Sequence, residues 1–456
     1  MSEMARTYQP AEAYRAKILP ERARAAVRNR WLARRLETVL PEVMAREGFD
    51  CWIVSAREYN EDPVIMSLLP EPYMYARRRT ILAFFRQPDG AFERMTLARY
   101  PIVGPDERSD VLFTGPTAGG GAGAGPQQFY ETAWDPAAEE QWACLARLVR
   151  ERDPQTIGIN VSETFAFGDG LSKGEYQQMV AALGPELTAR TKGAERVAVG
   201  WLERRLPEEI ATYSGIVEIA HAIIAEGFSS RVVLPGVTTT DDVVWWMRQR
   251  VTDLGLRSWF QPSVTIQAPD MGAPASGGRG GPRRKVIRPG DLLHCDFGLV
   301  YLGLCTDNQQ NAYVLKPGES APPAGLEQAL VAGNRLQDIH LEAMVLGRTG
   351  NEILSAALAQ ARHEGLRPQI YTHPLGYHGH AAGPTIGLWD QQDGVPGRGD
   401  YELFDDTGHS IELNVSFDVP EWDGQTVRMA LEEDAVVTGG QAIWLDGRQT
   451  KLHLIG

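Results

Sequence analysis

The chain has 456 residues, room for two or three domains with real cores, and its 43% hydrophobic and 23% charged residues are ordinary for a globular protein. A formal net charge of −14 argues against nucleic acid or an anionic membrane as partner. Four scattered cysteines (Cys51, Cys144, Cys295, Cys305) without CxxC spacing, no run of about 18 apolar residues and no apolar signal core together lead us to expect a cytoplasmic protein with no membrane partner.

The first part of the chain has the pattern of an α/β domain over 1–190. A charged helix over about 25–47 ends at Gly48, and buried strands follow at 51–55 and 80–85. The glycine cluster at 118–125 lacks the Gly-Lys-Ser/Thr ending of a phosphate loop and is expected to be a plain loop. A helix at about 138–152 and a strand at 156–160 complete the domain. The Gly-Pro-containing stretch 184–195 is the expected linker to a second domain, 195–456.

In the second domain, Pro207-Glu208-Glu209 starts a helix whose first-turn acids suit the dipole, with Ile210, Tyr213, Ile216, Ala220, Ile223 and Phe228 at helical spacing. A second helix is expected from Pro235, with Ser/Thr/Asp-type caps and a stripe of Val243, Trp246 and Val251. The stretch 289–318 is bounded by Pro-Gly pairs and alternates with period 2, which predicts an antiparallel strand pair turning at Gly303. Leu292, His294, Asp296 and Gly298 share one face, and Cys305, Asp307 and Gln309 share a face on the return strand. A carboxylate in the middle of each strand is costly unless a cation compensates it. Helices are expected at about 325–346 and 350–363.

Three later stretches put polar groups into apolar or glycine-rich surroundings. Residues 372–383 carry His373, His378 and His380; Glu412 interrupts a strand-like run; Glu432 heads an acidic cluster before a β-branched run. Asp296, Asp307, one histidine, Glu412 and Glu432 form an ordered oxygen-and-imidazole set suited to a pair of divalent cations, Mn²⁺ foremost, with Co²⁺, Zn²⁺ or Fe²⁺ tolerated.

Order and local sequence resemble the M24-type metallopeptidases of pita-bread fold, the Xaa-Pro aminopeptidase and prolidase branch, over roughly residues 195–450. The resemblance implies a creatinase-like α/β N-terminal domain and an α+β pita-bread (creatinase/aminopeptidase) C-terminal domain. It also implies that Asp296 chelates one metal, Asp307 and Glu432 bridge both, and His373 and Glu412 complete the second site. Glu412 then takes the general-base role, and a water bridging two cations supplies hydroxide near neutral pH. His373-Pro-Leu-Gly376 followed by His380 fits the family spacing with His373 as ligand and His380 as the contact to the substrate carbonyl. The rival register makes His380 the ligand and puts Gly387 where a histidine belongs. His378 is placed in the surroundings of the site.

There are departures too. The stretch 262–276 holds no histidine where relatives carry one. Glu412 is followed by Leu-Asn, not Pro-Gly, and Asp307 by Asn-Gln-Gln, where many relatives have an Arg three positions on. Arg398 and Arg428 are candidates for a substrate carboxylate, and Cys305 is expected to be a small buried thiol. The reading is a dinuclear hydrolase of a peptide bond beside proline. Two rivals remain: a metalloenzyme for a non-peptide small-molecule amide or polar metabolite, and a non-catalytic scaffold of the same fold. The expected partners are a small peptide or amide substrate and, by resemblance, a second copy in a homodimer.

Overall fold

The structure, a computed structural model, describes residues 8–71, 73–104, 127–272 and 285–456. The glycine cluster at 118–125 and the end of the histidine-free stretch, 273–276, lie outside the described residues. The chain divides into two compact units, Pro20–Leu202, and Glu203–Gly456 together with the chain up to Leu19.

In the Pro20–Leu202 unit the first helical stretch is two helices, Glu21–Glu37 and Val39–Arg46. Pro41 explains the break: it has no N–H to donate and its ring opposes the carbonyl four residues back. A six-stranded sheet follows, in the order Glu131–Thr132, Phe92–Thr96, Arg79–Arg86, Cys51–Arg57, Ile157–Ile159, Thr191–Gly193. Cys51–Arg57 runs antiparallel to Arg79–Arg86 and parallel to Ile157–Ile159. Both central strands are buried along nearly their whole length, which is why they are continuous apolar runs in the sequence.

The units do not divide as 1–190 and 195–456. The stretch 184–195 is no linker: it holds the end of helix Lys173–Thr188, strand Thr191–Gly193 and the start of helix Glu195–Glu203. Its Gly-Pro signal marks a kink, with Gly184 at φ 77° and Pro185 inside the helix. At the other end, the chain up to Leu19 is bonded into the second unit: Tyr14 Oη donates to Glu218, the Ala11 N–H to Glu226 and the Leu19 N–H to Tyr301 Oη.

Helices Pro207–Gly227 and Thr240–Asp253 open the main part of the second unit. Pro235-Gly236 is a turn ahead of the second helix, whose start is fixed by a capping box between Thr239 and Asp242. A four-stranded sheet comes next, in the order His453–Ile455, Asn308–Val314, Leu292–Phe297, Ser263–Gln267. The expected strand pair is its centre, with Gln309 opposite Asp296. Between its two strands the chain makes a tight hairpin, Val300–Tyr301 against Leu304–Cys305, turning through Leu302 and Gly303, both at positive φ.

Two further sheets share a seam. One holds Pro368–Ile370, Leu413–Val419 and Gln425–Leu431; the other holds His373–Leu375, Thr407–Ser410, Asp434–Thr438 and Gln441–Trp444. The chain crosses from one to the other three times, through Tyr371-Thr372, Ile411-Glu412 and Glu432-Glu433. Backbone bonds stitch the crossings, from Tyr371 N–H to the Glu412 carbonyl at 2.9 Å and from Ile411 N–H to the Glu433 carbonyl at 2.9 Å. A reciprocal pair of bonds between Gln309 and Glu432 (2.9 and 3.1 Å) attaches the first sheet to the same seam. Helices Ala324–Ala343 and Gly350–His363 pack behind it on Leu336, Ile339, Ile353, Leu413 and Met429, each fully buried side chain contributing roughly 1.5–3 kcal/mol.

Candidate metal centre

The seam collects the polar residues because a strand that changes sheets turns a side chain away from both apolar faces. Glu412 and Glu432 sit at two crossings, and His373 begins the strand after the third. His373 lies opposite Ser410, which lies opposite Asp434. From the first sheet come Asp296, near the end of its strand, and Asp307, just before the next one.

Ligand atoms of Asp296, Asp307 and Glu432 lie within 4.8 Å of one another, and so do those of His373, Glu412 and Glu432, and those of Asp307, His373 and His380. His373 Nε2 is 3.3 Å from Glu432 Oε1 and 3.6 Å from Asp307 Oδ2. Its Nδ1–H donates to the Pro374 carbonyl at 3.0 Å, which fixes the tautomer and leaves the Nε2 lone pair aimed at the carboxylates. Nε2 of His373, Oδ1 of Asp296 and Oδ1 of Asp307 are buried without a hydrogen-bond partner.

The carboxyls are strongly perturbed. Burial first, and then the negative charge of Glu432, raise Asp296, Asp307 and Glu412 above the carboxylate range. Burial also raises Glu432, against hydrogen bonds from Ser410 and Gln309. Four buried acids this close repel one another when ionised, so the centre holds together only with protons or cations between them. Unpartnered oxygens on Asp296 and Asp307 and the unpartnered His373 nitrogen, converging in a buried place, fit divalent cations well.

Several participants carry no metal-ligand signature in the sequence. Ser410 Oγ donates to Glu432 Oε1 at 2.7 Å, and both Asp434 oxygens accept from the Asp307 N–H, at 3.2 and 3.3 Å. Gln309 Nε2 donates to Glu412 Oε1 at 2.8 Å and to Glu432 Oε2 at 2.7 Å, while its Oε1 accepts from His294 Nε2 at 2.8 Å. Behind the centre, His221 is held between Glu433 (2.6 Å) and Asp446 (2.9 Å). Burial opposes its protonation, but the two acids prevail and raise its pKa to about 10. Asp434 and Glu433 stood in the acidic cluster already noted; Ser410 and His221 had no signal at all.

His380 lies outward of His373, exposed at the rim, with its ring edge-on to Trp259 at 5.4 Å. Enclosure of the imidazole, then His373 and Arg398, hold its pKa down to about 4. Trp259 Nε1 donates to the Thr306 carbonyl at 2.8 Å, and its ring lies against the backbone of Gly379, where a Cβ would come within 2.1 Å of it. Tyr371 lies beside the His373–His380 pair, its ring centroid 5.8 and 6.3 Å from theirs. Arg398 is exposed on a short 3-10 helix, and its charge acts on both Tyr371 and His380. Arg428 is half-buried; with the Asn414 amide oxygen turned toward it, Nε and Nη2 lie 3.2 and 3.1 Å away. Cys305 Sγ faces the Tyr377 carbonyl at 3.8 Å, and His378 is half-buried beside this turn.

This combination of a carboxylate-and-imidazole centre with the seamed sheets and their backing helices defines a pita-bread metallohydrolase. The chain belongs to metallopeptidase family M24, whose model matches residues 215–444. Solved structures with the same fold include an X-Pro aminopeptidase from Thermotoga maritima (15% identity, 91% of this chain and 99% of that one, TM-score 0.60). Others are a Xaa-Pro dipeptidase from Bacillus anthracis (16%, 92% and 99%, 0.56) and a prolidase from Pyrococcus furiosus (14%, 90% and 99%, 0.53). A curated Mycoplasma pneumoniae protein, named provisionally as a Xaa-Pro aminopeptidase, is 29% identical over 177 residues. That match spans 39% of this chain and 45% of the relative. Among the described residues, no helix is long and apolar enough to cross a membrane.

Proposed function

We propose that this chain hydrolyses the peptide bond before proline in short peptides, with two divalent cations, Mn²⁺ foremost, held by Asp296, Asp307, His373, Glu412 and Glu432. The observation that carries the proposal is the set of buried, unpartnered atoms on Asp296, Asp307 and His373 converging with Glu412 and Glu432. Such cations supply Lewis acidity and bring the pKa of water close to neutral.

The residues divide the remaining work. Glu412, its carboxyl raised by burial and by Glu432, is suited to take a proton from the attacking water and return it to the leaving amine. His380, at the open side of His373, donates to the scissile carbonyl and stabilises the charge that develops on it. Trp259 and Tyr371 hold the His380 ring from two sides and bound the approach there. Arg398, exposed and close enough to act on His380, receives the free carboxylate of a dipeptide. That favours the dipeptidase form of the activity.

The test compares Xaa-Pro dipeptides with Xaa-Pro-Xaa tripeptides on Mn²⁺-loaded protein, with Glu412→Gln as control and Arg398→Met as the carboxylate probe. We expect dipeptide cleavage that vanishes in Glu412→Gln, and a raised KM with little change in kcat in Arg398→Met. A second reading, hydrolysis of a non-peptide amide, draws on strand Ser263–Gln267, which pairs with the strand of Asp296 and carries no histidine. Protein that binds two cations and cleaves no proline peptide would replace the first reading with the second.

A further inference from the structure

We infer that Gln309 is a positioning residue that sets which oxygens of Glu412 and Glu432 face the cations, with His294 as its anchor. The inference rests on the metal-centre reading above and concerns a residue that is not itself a ligand.

The amide has three polar capacities in use, and each meets a different partner. One Nε2 hydrogen goes to Glu412 Oε1 (2.8 Å), the other to Glu432 Oε2 (2.7 Å), and Oε1 accepts from His294 Nε2 (2.8 Å). The anchor is oriented in turn, with Thr265 Oγ1 3.5 Å from His294 Nδ1, the nitrogen left as acceptor when Nε2 carries the proton. Because the carboxylate oxygens accept, the NH₂ group of Gln309 faces them and its Oε1 is left to His294, which donates through Nε2. The backbone of the same residue is fixed by its reciprocal bonds with Glu432 and by its place opposite Asp296.

Two consequences follow for the centre. Each carboxylate has one oxygen taken by the amide, so Glu432 presents Oε1 to Ser410 and His373, and Glu412 keeps Oε2 outside the bond. The donor is also neutral. A Lys or Arg at this place would compete with the cations for four acids, and a Glu would add to their repulsion, whereas an amide orients them without changing the charge. Partners of metal ligands at this distance typically govern metal affinity by about 10–100-fold.

The test titrates metal-free wild type, Gln309→Met and His294→Phe with Mn²⁺ in a calorimeter and with Co²⁺ in an absorption spectrometer. Met keeps the length and volume of Gln and removes its donors. We expect Gln309→Met to lose about 10–100-fold in affinity with a changed Co²⁺ ligand-field band, and His294→Phe to shift both in the same direction by less. Wild-type affinity and spectrum in Gln309→Met would overturn the inference. Should Gln309→Met fail to fold, His294→Phe decides alone, and unchanged binding there overturns it. Wild type that binds no cation would overturn it together with the metal-centre reading, while normal wild-type binding with unaffected variants removes this inference only.

Discussion

The rings of His373 and His380 stand edge to face, their centroids 4.7 Å apart and their planes at 87°. The inner ring is buried with Nε2 aimed at Asp307 and Glu432; the outer ring is at the rim against Trp259. Neighbouring imidazoles thus have opposite surroundings, one suited to a cation and the other to a substrate oxygen.

Substituting the two should therefore separate binding from turnover. His373→Ala is expected to lose one of the two bound cations, as counted by elemental analysis of dialysed protein. His380→Ala should keep both and lose roughly 10²–10³-fold in kcat, the size expected on removing an oxyanion donor. Loss of metal from His380→Ala and not from His373→Ala would reverse the assignment.

Metal loading should stabilise the fold, and more so at higher pH. Asp296 has a folded pKa near 8, well above the ordinary carboxylate value of about 4, so its protonated form favours the metal-free fold. The sign follows: that contribution is complete below about pH 4 and lost as pH rises through about 8. Cations replace the protons, so their stabilisation, about 2.7 kcal/mol at a hundredfold excess over Kd, should grow across that interval. Thermal unfolding with chelator and with Mn²⁺, at several pH values, measures the gap; a gap that narrows as pH rises contradicts the reading.

His221 should behave in the opposite sense to a neutral core histidine. Its folded pKa of about 10 exceeds the unfolded value of about 6.5, so its ion pairs stabilise the fold fully below pH 6.5 and stop doing so as pH passes 10. Removing one partner of a buried pair costs about 3–5 kcal/mol. Denaturant unfolding of His221→Leu is expected to show a loss of that size at pH 6 that shrinks toward pH 10. A loss that is constant with pH would mean packing alone.

Gly379 should tolerate no side chain. A Cβ there would meet Trp259 ring atoms at 2.1–2.3 Å, and the ring is tied down by its bond to Thr306. Gly379→Ala is expected to cost about 1–3 kcal/mol, as overpacking does. It should also change tryptophan fluorescence and weaken turnover, because His380 is the next residue.

The sequence disclosed the ligand-type residues because each breaks a local rule: an acid in a strand, or histidines crowded beside glycine. It could not disclose the seam, since the strand changes at Glu412 and Glu432 depend on pairing between segments far apart in the chain. Gln309 is visible in the sequence only as a face-mate of Asp307 in an unusual Asn-Gln-Gln; that its amide meets two carboxylates depends on the backbone bonds that tie it to Glu432, far along the chain. The stretch 184–195 has the composition of a linker, yet its Gly184-Pro185 kinks a helix, because a kinked helix and a linker share the same local chemistry.

The first residues of the chain belong to the unit that is made last. Between Leu19 and Glu203 the polypeptide builds a whole unit of its own. Meanwhile Ala11 and Tyr14 await Glu226 and Glu218, and Tyr8 awaits Asp446, which lies 438 positions away. On a ribosome that segment waits for about half the chain before Glu218 and Glu226 emerge, and for nearly all of it before Asp446 does, so its docking follows the making of the whole intervening unit. A fragment cut to begin at Glu203 would carry every ligand-type residue yet leave uncovered the surface where Ala11 and Tyr14 are buried. Supplying residues 8–19 as a separate peptide should mend it.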